Sequence, residues 1–146
     1  MRIPFLAAFR TTIGVVFLAA GCVLLSGCSS GQHPVEGELT INGKALPKGT
    51  VTLWPDAAKK NTATVIPTGE VENGRYRVMT NGRAGAPPGW YKVTIASSEI
   101  PDSTKIDKVK DSVPEKFRSA EKTPLAIEVV AAPAPGAYDL KAVEKK

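Results

Sequence analysis

The sequence predicts an all-β protein, a single small β-sandwich of about seven strands that follows an N-terminal lipoprotein signal peptide. Three observations support this prediction. Apolar and polar residues alternate over most of the chain after residue 34, and Asn-Gly dipeptides recur between the alternating segments. The portion that remains after an apolar leader is long enough for one core and too short for two.

The alternation with period two places one face of each strand on a core and the other in water, which is typical of antiparallel sheets. The predicted strands contain, in order, Val35 to Ile41, Val51 and Leu53, a segment around Thr64 to Val71, Tyr76 and Val78, Tyr91 to Ile95, Leu125 to Val129, and Tyr138 to Leu140. Strands of this length separated by turn signals predict a small β-sandwich.

The turn chemistry agrees with this strand order. Asn42-Gly43 and Asn73-Gly74 tolerate positive φ at both central positions of a two-residue turn, so residues 70–79 are predicted to form a hairpin. Asn81-Gly82 is a further turn signal. Residues 97–124 are rich in charge and proline and are predicted to form a surface loop. Within this loop, Val113 to Phe117 predicts one helical turn whose Phe117 closes one end of the core.

Residues 1–27 are predicted to be a signal peptide that is removed. Two arginines precede an apolar stretch from Ile13 to Leu25, which is too short for a comfortable membrane span. The stretch ends in a lipoprotein cleavage box formed by Leu25, Ser26, Gly27 and Cys28. The signal peptidase is predicted to recognise Leu25, Ser26 and Gly27 and to cut before Cys28. Gly27 fits a narrow protease pocket, and the Cys28 thiol accepts a diacylglyceryl group. Cys28 is therefore predicted to become the lipidated N-terminus.

Three alternatives to this cleavage stay open. A weaker box ends at Cys22, the apolar run could remain as an uncleaved transmembrane anchor, or an ordinary signal peptide could leave paired cysteines. The favoured division is a signal peptide over residues 1–27, a lipidated cysteine and short tether over residues 28–33, and the β-sandwich over residues 34–144. Acyl chains such as palmitate on Cys28 would anchor the protein in a membrane of the bacterial cell envelope. Ser29 after the cysteine favours the outer membrane under the usual sorting rule.

The charge pattern excludes nucleic acid as a partner. The chain has 19 basic and 14 acidic residues, and its net charge is +5. Removing residues 1–27 takes away two arginines and no acids, which leaves +3. The lysines are scattered and interspersed with acids, with no basic run interleaved with aromatic residues.

The sequence contains few of the residue combinations that catalysis or metal binding requires. His33, the only histidine, lies in the predicted tether, so no rigid Ser-His or Cys-His pair and no zinc set is predicted. The strand carboxylates alternate with apolar residues and are predicted to face water: Glu36, Glu38, Glu70, Glu72, Glu128 and Asp139. Asp102, Asp107 and Asp111 lack the spacing of a calcium loop. We therefore predict no enzyme activity, no metal and no cofactor.

Two tryptophans are the candidate ligand contacts. Trp54 is in phase with outward Thr50 and Thr52, and Trp90 is opposite in phase to inward Tyr91, so both are predicted to point outward. An exposed indole can stack on a sugar ring or insert into a partner surface. The alternative, that each covers an edge of its own domain, stays open, and the sequence does not place the two side by side.

The order of motifs resembles the carboxypeptidase regulatory-like family, whose domains are transthyretin-like. The motifs are residues 35–46, residues 49–55, Gly74 to Tyr76, residues 86–95, Val113 to Phe117 ahead of Leu125 to Val129, and Tyr138 to Leu140. The segments Val113 to Phe117, Leu125 to Val129 and Tyr138 to Leu140 fit the version found in small bacterial lipoproteins. The resemblance implies a seven-stranded Greek-key sandwich without catalytic activity, typically an adhesion, accessory or structural module.

Two functions follow as hypotheses. The first is a non-catalytic, lipid-anchored envelope protein whose sandwich is a structural or protein-interaction module, with strand addition at an exposed sheet edge as one binding route. The alternative is a carbohydrate-binding or nutrient-capture lipoprotein that uses Trp54 and Trp90. The expected partners are the membrane, through Cys28, and another envelope protein or a polysaccharide.

Overall fold

The computed structural model describes residues 31–98 and 112–144, which form an all-β fold. The strands are β1 (Glu36–Ile41), β2 (Lys44–Ala45), β3 (Lys48–Pro55), β4 (Thr68–Glu72), β5 (Arg75–Thr80), β6 (Arg83–Ala84), β7 (Gly89–Ser97), β8 (Ala126–Val129) and β9 (Leu140–Ala142). The predicted lipidation residues, Leu25, Ser26, Gly27 and Cys28, lie outside the described residues, as do Asp102, Asp107 and Asp111.

The strands form one sheet that curls into a half-barrel. Its order is β2-β1-β5-β4-β3-β7-β8, with β6 beside β5 and β9 beside β1. Within the described ranges every strand pair is antiparallel except β1 with β9, which is parallel. The antiparallel arrangement predicted from the alternation is therefore confirmed for these pairs, with the pair of β9 and β1 as the exception. Alternation determines which side chains face the core, but it specifies neither the partner of a strand nor its direction.

The three Asn-Gly turns are confirmed. Asn42, Asn73 and Asn81 each have φ of 50°, and the glycines that follow them also have positive φ. These turns join β1 to β2, β4 to β5 and β5 to β6. Two consecutive positive φ values match the twist of the flanking strands, which is why Asn-Gly forms such tight hairpins.

Two boundaries differ from the prediction. β4 begins at Thr68 and not near Thr64, since Pro67 has no N–H to donate to a ladder and only its carbonyl is used, accepting from Leu53 N at 2.9 Å. His33, predicted to lie in the tether, already pairs with Ala86. The folded part of the chain therefore reaches at least one residue further towards the N-terminus than predicted.

The core lies against the inward face of the curled sheet. Its fully buried members include Val71 and, at positions that the alternation predicts to face inward, Leu39, Val51, Leu53, Val78, Tyr91 and Val93. The predicted helical turn is present as a 3-10 turn, Glu115–Phe117, and its Phe117 is 1% exposed within the same core. No helix in the described part of the chain is long and apolar enough to cross a membrane.

Candidate functional site

The outward face of the sheet carries a ladder of alternating charges on β1, β5 and β4. Its members, hereafter the charged ladder, are Glu36, Glu38, Glu70, Glu72, Arg75 and Arg77. Each arginine of β5 lies between a glutamate of β1 and a glutamate of β4. The charged ladder lines a shallow groove together with Met79 and Asp139.

The ion pairs of the charged ladder join β1 to β5. An Arg77 guanidinium nitrogen lies 3.0 Å from Glu36 Oε2, and the corresponding distance from Arg75 to Glu38 is 3.5 Å. All four side chains are at least 60% exposed, so each pair contributes on the order of 0–1 kcal/mol. The charged ladder therefore favours one register of the strands more than it adds to stability.

The prediction that the strand carboxylates face water is confirmed for all six, including Glu128 and Asp139. The sequence did not predict that Arg75 and Arg77 lie directly between the glutamates of β1 and those of β4. The signal was available, because both arginines alternate with inward Tyr76 and Val78. The cross-strand pairs follow once the register of the hairpin is known.

Trp54 lies outward on β3, as its phase predicts, and is 37% exposed. Its indole Nε1 donates a hydrogen bond to Thr94 Oγ1 on the adjacent strand β7 at 2.9 Å. This bond holds the indole ring against the sheet and uses the only hydrogen-bond donor of the ring. Only the apolar surface of the ring remains available to a ligand.

Trp90 is half-buried, and one of its ring faces is occupied. The Lys59 ammonium lies 3.4 Å from the ring centroid, a cation–π contact. Lys59 belongs to the 3-10 turn Ala57–Lys59, which Asp56 caps by accepting a hydrogen bond from Ala58 N at 3.1 Å. The Trp90 carbonyl accepts from Asn61 Nδ2 at 2.7 Å. Lys59 therefore occupies the position that a stacked sugar would need on that face.

The two tryptophans lie on the same face of neighbouring strands. Trp54 is opposite Lys92, and Trp90 is two residues from Lys92 along β7. Side chains at such diagonal positions are within reach of each other when they are aromatic or long. The sequence predicted the phase of each tryptophan, and the strand register supplies their neighbour relation.

A second feature of the sheet is the open edge, which we define as the outward backbone groups of Ala126 and Glu128 on β8. Val93 N donates to Leu125 O at 2.9 Å, so the next residue of β8 directs its N–H and C=O away from β7. Val130 N, on the same side, donates to Tyr138 Oη at 3.2 Å and ends the open stretch. Among the described residues, no hydrogen-bond partner occupies the open edge.

The buried Tyr76 hydroxyl, whose pKa is shifted from its usual value, has a structural role. The Tyr76 hydroxyl donates to the Tyr138 carbonyl at 2.5 Å, and burial, followed by the nearby Asp139 carboxylate, raises the pKa of Tyr76 well above its usual value. The neutral hydroxyl is therefore retained across the physiological range. Asp139 also accepts from Glu38 N at 3.0 Å. Together these bonds hold the segment before β9 against β1 and β5.

In the described ranges, no group of three or more histidine, cysteine, aspartate or glutamate side chains could hold a metal ion. Comparison of the chain with protein-family models, with curated proteins and with solved structures finds no match in any of the three.

Proposed function

We propose that the protein is a non-catalytic lipoprotein, anchored in the bacterial cell envelope through acyl chains on Cys28, whose β-domain binds another envelope protein. The observation that carries this proposal is the open edge of β8. Unpaired N–H and C=O groups on a terminal strand are a template for strand addition, in which backbone hydrogen bonds supply affinity and alternate side chains supply selectivity.

We also propose that the domain is a seven-stranded Greek-key sandwich of the carboxypeptidase regulatory-like, transthyretin-like type. The order of the motifs along the chain supports this assignment. So does the presence of seven strands of three or more residues, with two-residue strands as the others in the described part of the chain. In a domain of this type β8 would be an edge strand, and the inward face of the sheet would cover the core.

Replacing Ala126 with proline tests the open edge. Proline at this position removes an outward N–H and spares the hydrogen bonds between β8 and β7, and the first residue of a strand tolerates proline. We expect a protein partner recovered by in-cell crosslinking of the tagged full-length chain to be lost in Ala126→Pro. The matched control is Ala126→Val, which retains the N–H and should retain the partner.

Equal recovery of the partner by both variants would contradict strand addition at β8. Circular dichroism of the two purified variants shows whether the sheet persists. Only a variant with an intact sheet is compared.

Binding of a polysaccharide is the second candidate, because the apolar face of Trp54 is exposed beside the row of Thr52 and Thr94 on the outward face. Under this alternative, a polysaccharide would shift or quench tryptophan emission, and Trp54→Ala would abolish the change. Trp90→Phe should leave the change largely intact, since Lys59 already covers one face of that ring. Emission that is indifferent to a panel of glycans would leave only the protein-binding proposal.

A further inference from the structure

The polypeptide enters the sheet at a defined end. His33 and Ala86 exchange two backbone hydrogen bonds of 2.9 and 3.0 Å, beside the point where β5 ends and β6 begins. The segments at this end, hereafter the tether end, are residues 31–35, 56–67, 81–88 and 130–137. They include the 3-10 turn after β3 and the start of the connection into β7.

The exposed charges of the tether end are all positive. Its exposed charged side chains are Lys59, Lys60 and Arg83. The one acidic residue in these segments, Asp56, is 8% exposed and is engaged as the cap of the 3-10 turn. An approaching surface therefore meets only cations among the exposed charges of these segments, and the nearest exposed carboxylates, Asp139 beside Gly136 and Glu128 opposite Trp90, lie just outside them.

The opposite end of the sheet differs, because both signs of charge are mixed there. The described segments at that end, with the short strand β2 included, carry Lys44, Glu115, Lys116, Arg118, Glu121, Lys122 and Glu144. Lys122 and Glu115 form an ion pair at 2.9 Å. The segments of the tether end thus carry exposed charge of one sign, whereas those described at the other end carry both signs.

Aromatic side chains lie beside the cations of the tether end. Lys59 stacks on Trp90 at the start of β7, and Trp54 lies close to the end of β3. An indole with an adjacent ammonium presents an apolar body and a charged tip, a combination suited to the boundary between lipid headgroups and water.

We propose that the tether end docks on the anionic phospholipid headgroups of the bilayer in which the protein is anchored. This inference rests on the proposed lipidation of Cys28. The five residue-to-residue steps from Cys28 to His33 span at most about 18 Å when extended, so the anchor holds this end of the domain close to the bilayer. Attraction between basic side chains and anionic lipid acts within roughly a Debye length of the surface, about 8 Å at physiological salt.

The chain carries two tryptophans, Trp54 and Trp90, which serve as reporters of docking. The full-length protein is reconstituted into vesicles of phosphatidylcholine alone or of phosphatidylcholine and phosphatidylglycerol in equal parts, each with a headgroup spin label as quencher. We expect strong quenching of tryptophan emission in the phosphatidylglycerol vesicles, its loss at high salt, and weak quenching with phosphatidylcholine alone.

Paired neutralising variants locate the docking surface. Lys60→Asn with Arg83→Gln removes two cations of the tether end and leaves the contact of Lys59 with Trp90. The matched control is Lys44→Asn with Lys48→Gln, which removes two cations from the other end. We expect apparent docking to weaken about fivefold for each lost cation of the tether end, and to change little in the control.

The outcomes separate docking from anchoring. Flotation with both kinds of vesicle but equal quenching in the two would overturn docking while the anchor stands. No flotation with either kind would overturn both. Equal loss of quenching in the two variant pairs would mean that docking depends only on the net charge of the protein. That result would overturn the assignment of docking to the tether end. An emission shift that depends on protein concentration and not on phosphatidylglycerol would place a second copy there instead.

Discussion

Replacing Cys28 with alanine is expected to abolish acylation of the protein and to release it from the membrane fraction. The thiol of this residue is the proposed attachment point of the diacylglyceryl group. Each buried methylene contributes about 0.8 kcal/mol, so two or three acyl chains bind almost permanently, whereas one chain binds only marginally. The measurement is incorporation of a tagged palmitate analogue in cells, followed by fractionation of membranes.

Cys22→Ala is the matched control, because Cys22 ends the weaker cleavage box only six residues earlier in the chain. This variant should still incorporate palmitate and remain in the membrane. The opposite result, with label lost only in Cys22→Ala, would move the cleavage site to Cys22. Membrane retention of both variants without label would indicate an uncleaved apolar anchor. Mass spectrometry of the N-terminal peptide distinguishes these outcomes directly.

The features that the sequence predicted correctly are local. The Asn73-Gly74 hairpin follows from the backbone preferences of two adjacent residues, and the inward positions of Val51 and Leu53 follow from the period of the strand. The burial of Phe117 was also predictable from local sequence, since it is the one aromatic residue of a short polar helical turn. None of these features requires knowledge of which strands are neighbours.

The features that the sequence did not predict depend on contacts between distant residues. The parallel pairing of β9 with β1 brings together Glu38 and Asp139, which are 101 residues apart, and the Arg77–Glu36 pair spans 41 residues. The contact of Lys59 with Trp90 depends on how a 3-10 turn packs beside a different strand. Such contacts depend on the register and closure of the whole sheet. Alternation within one strand carries no information about either.

This difference also bears on the candidate site. The outward phases of Trp54 and Trp90 suggested two equivalent stacking platforms. The fold makes them unequal, because an ammonium occupies one face of Trp90 while Trp54 keeps an exposed ring. The open edge of β8 could likewise be identified only after the strand order was known.

Phe117→Ala is expected to lower the free energy of unfolding by about 3–5 kcal/mol, the usual cost of deleting a fully buried phenylalanine and leaving a cavity. Phe117 is 1% exposed in the core, and the turn that carries it contacts β7. No cysteine lies in the described ranges, so burial rather than a disulfide stabilises this part of the chain. Because small domains are stable by only about 5–15 kcal/mol, this single change would remove a large share of the total.

Urea unfolding followed by tryptophan emission measures the effect of this change. Ile66→Ala is the control, since Ile66 is also a large apolar residue outside the strands but is 48% exposed, and its loss should cost within about 0.5 kcal/mol. Equal stability of the two variants would mean that the 3-10 turn opens separately from the sheet. A large loss in Phe117→Ala alone would instead place the turn in the same cooperative unit as β7.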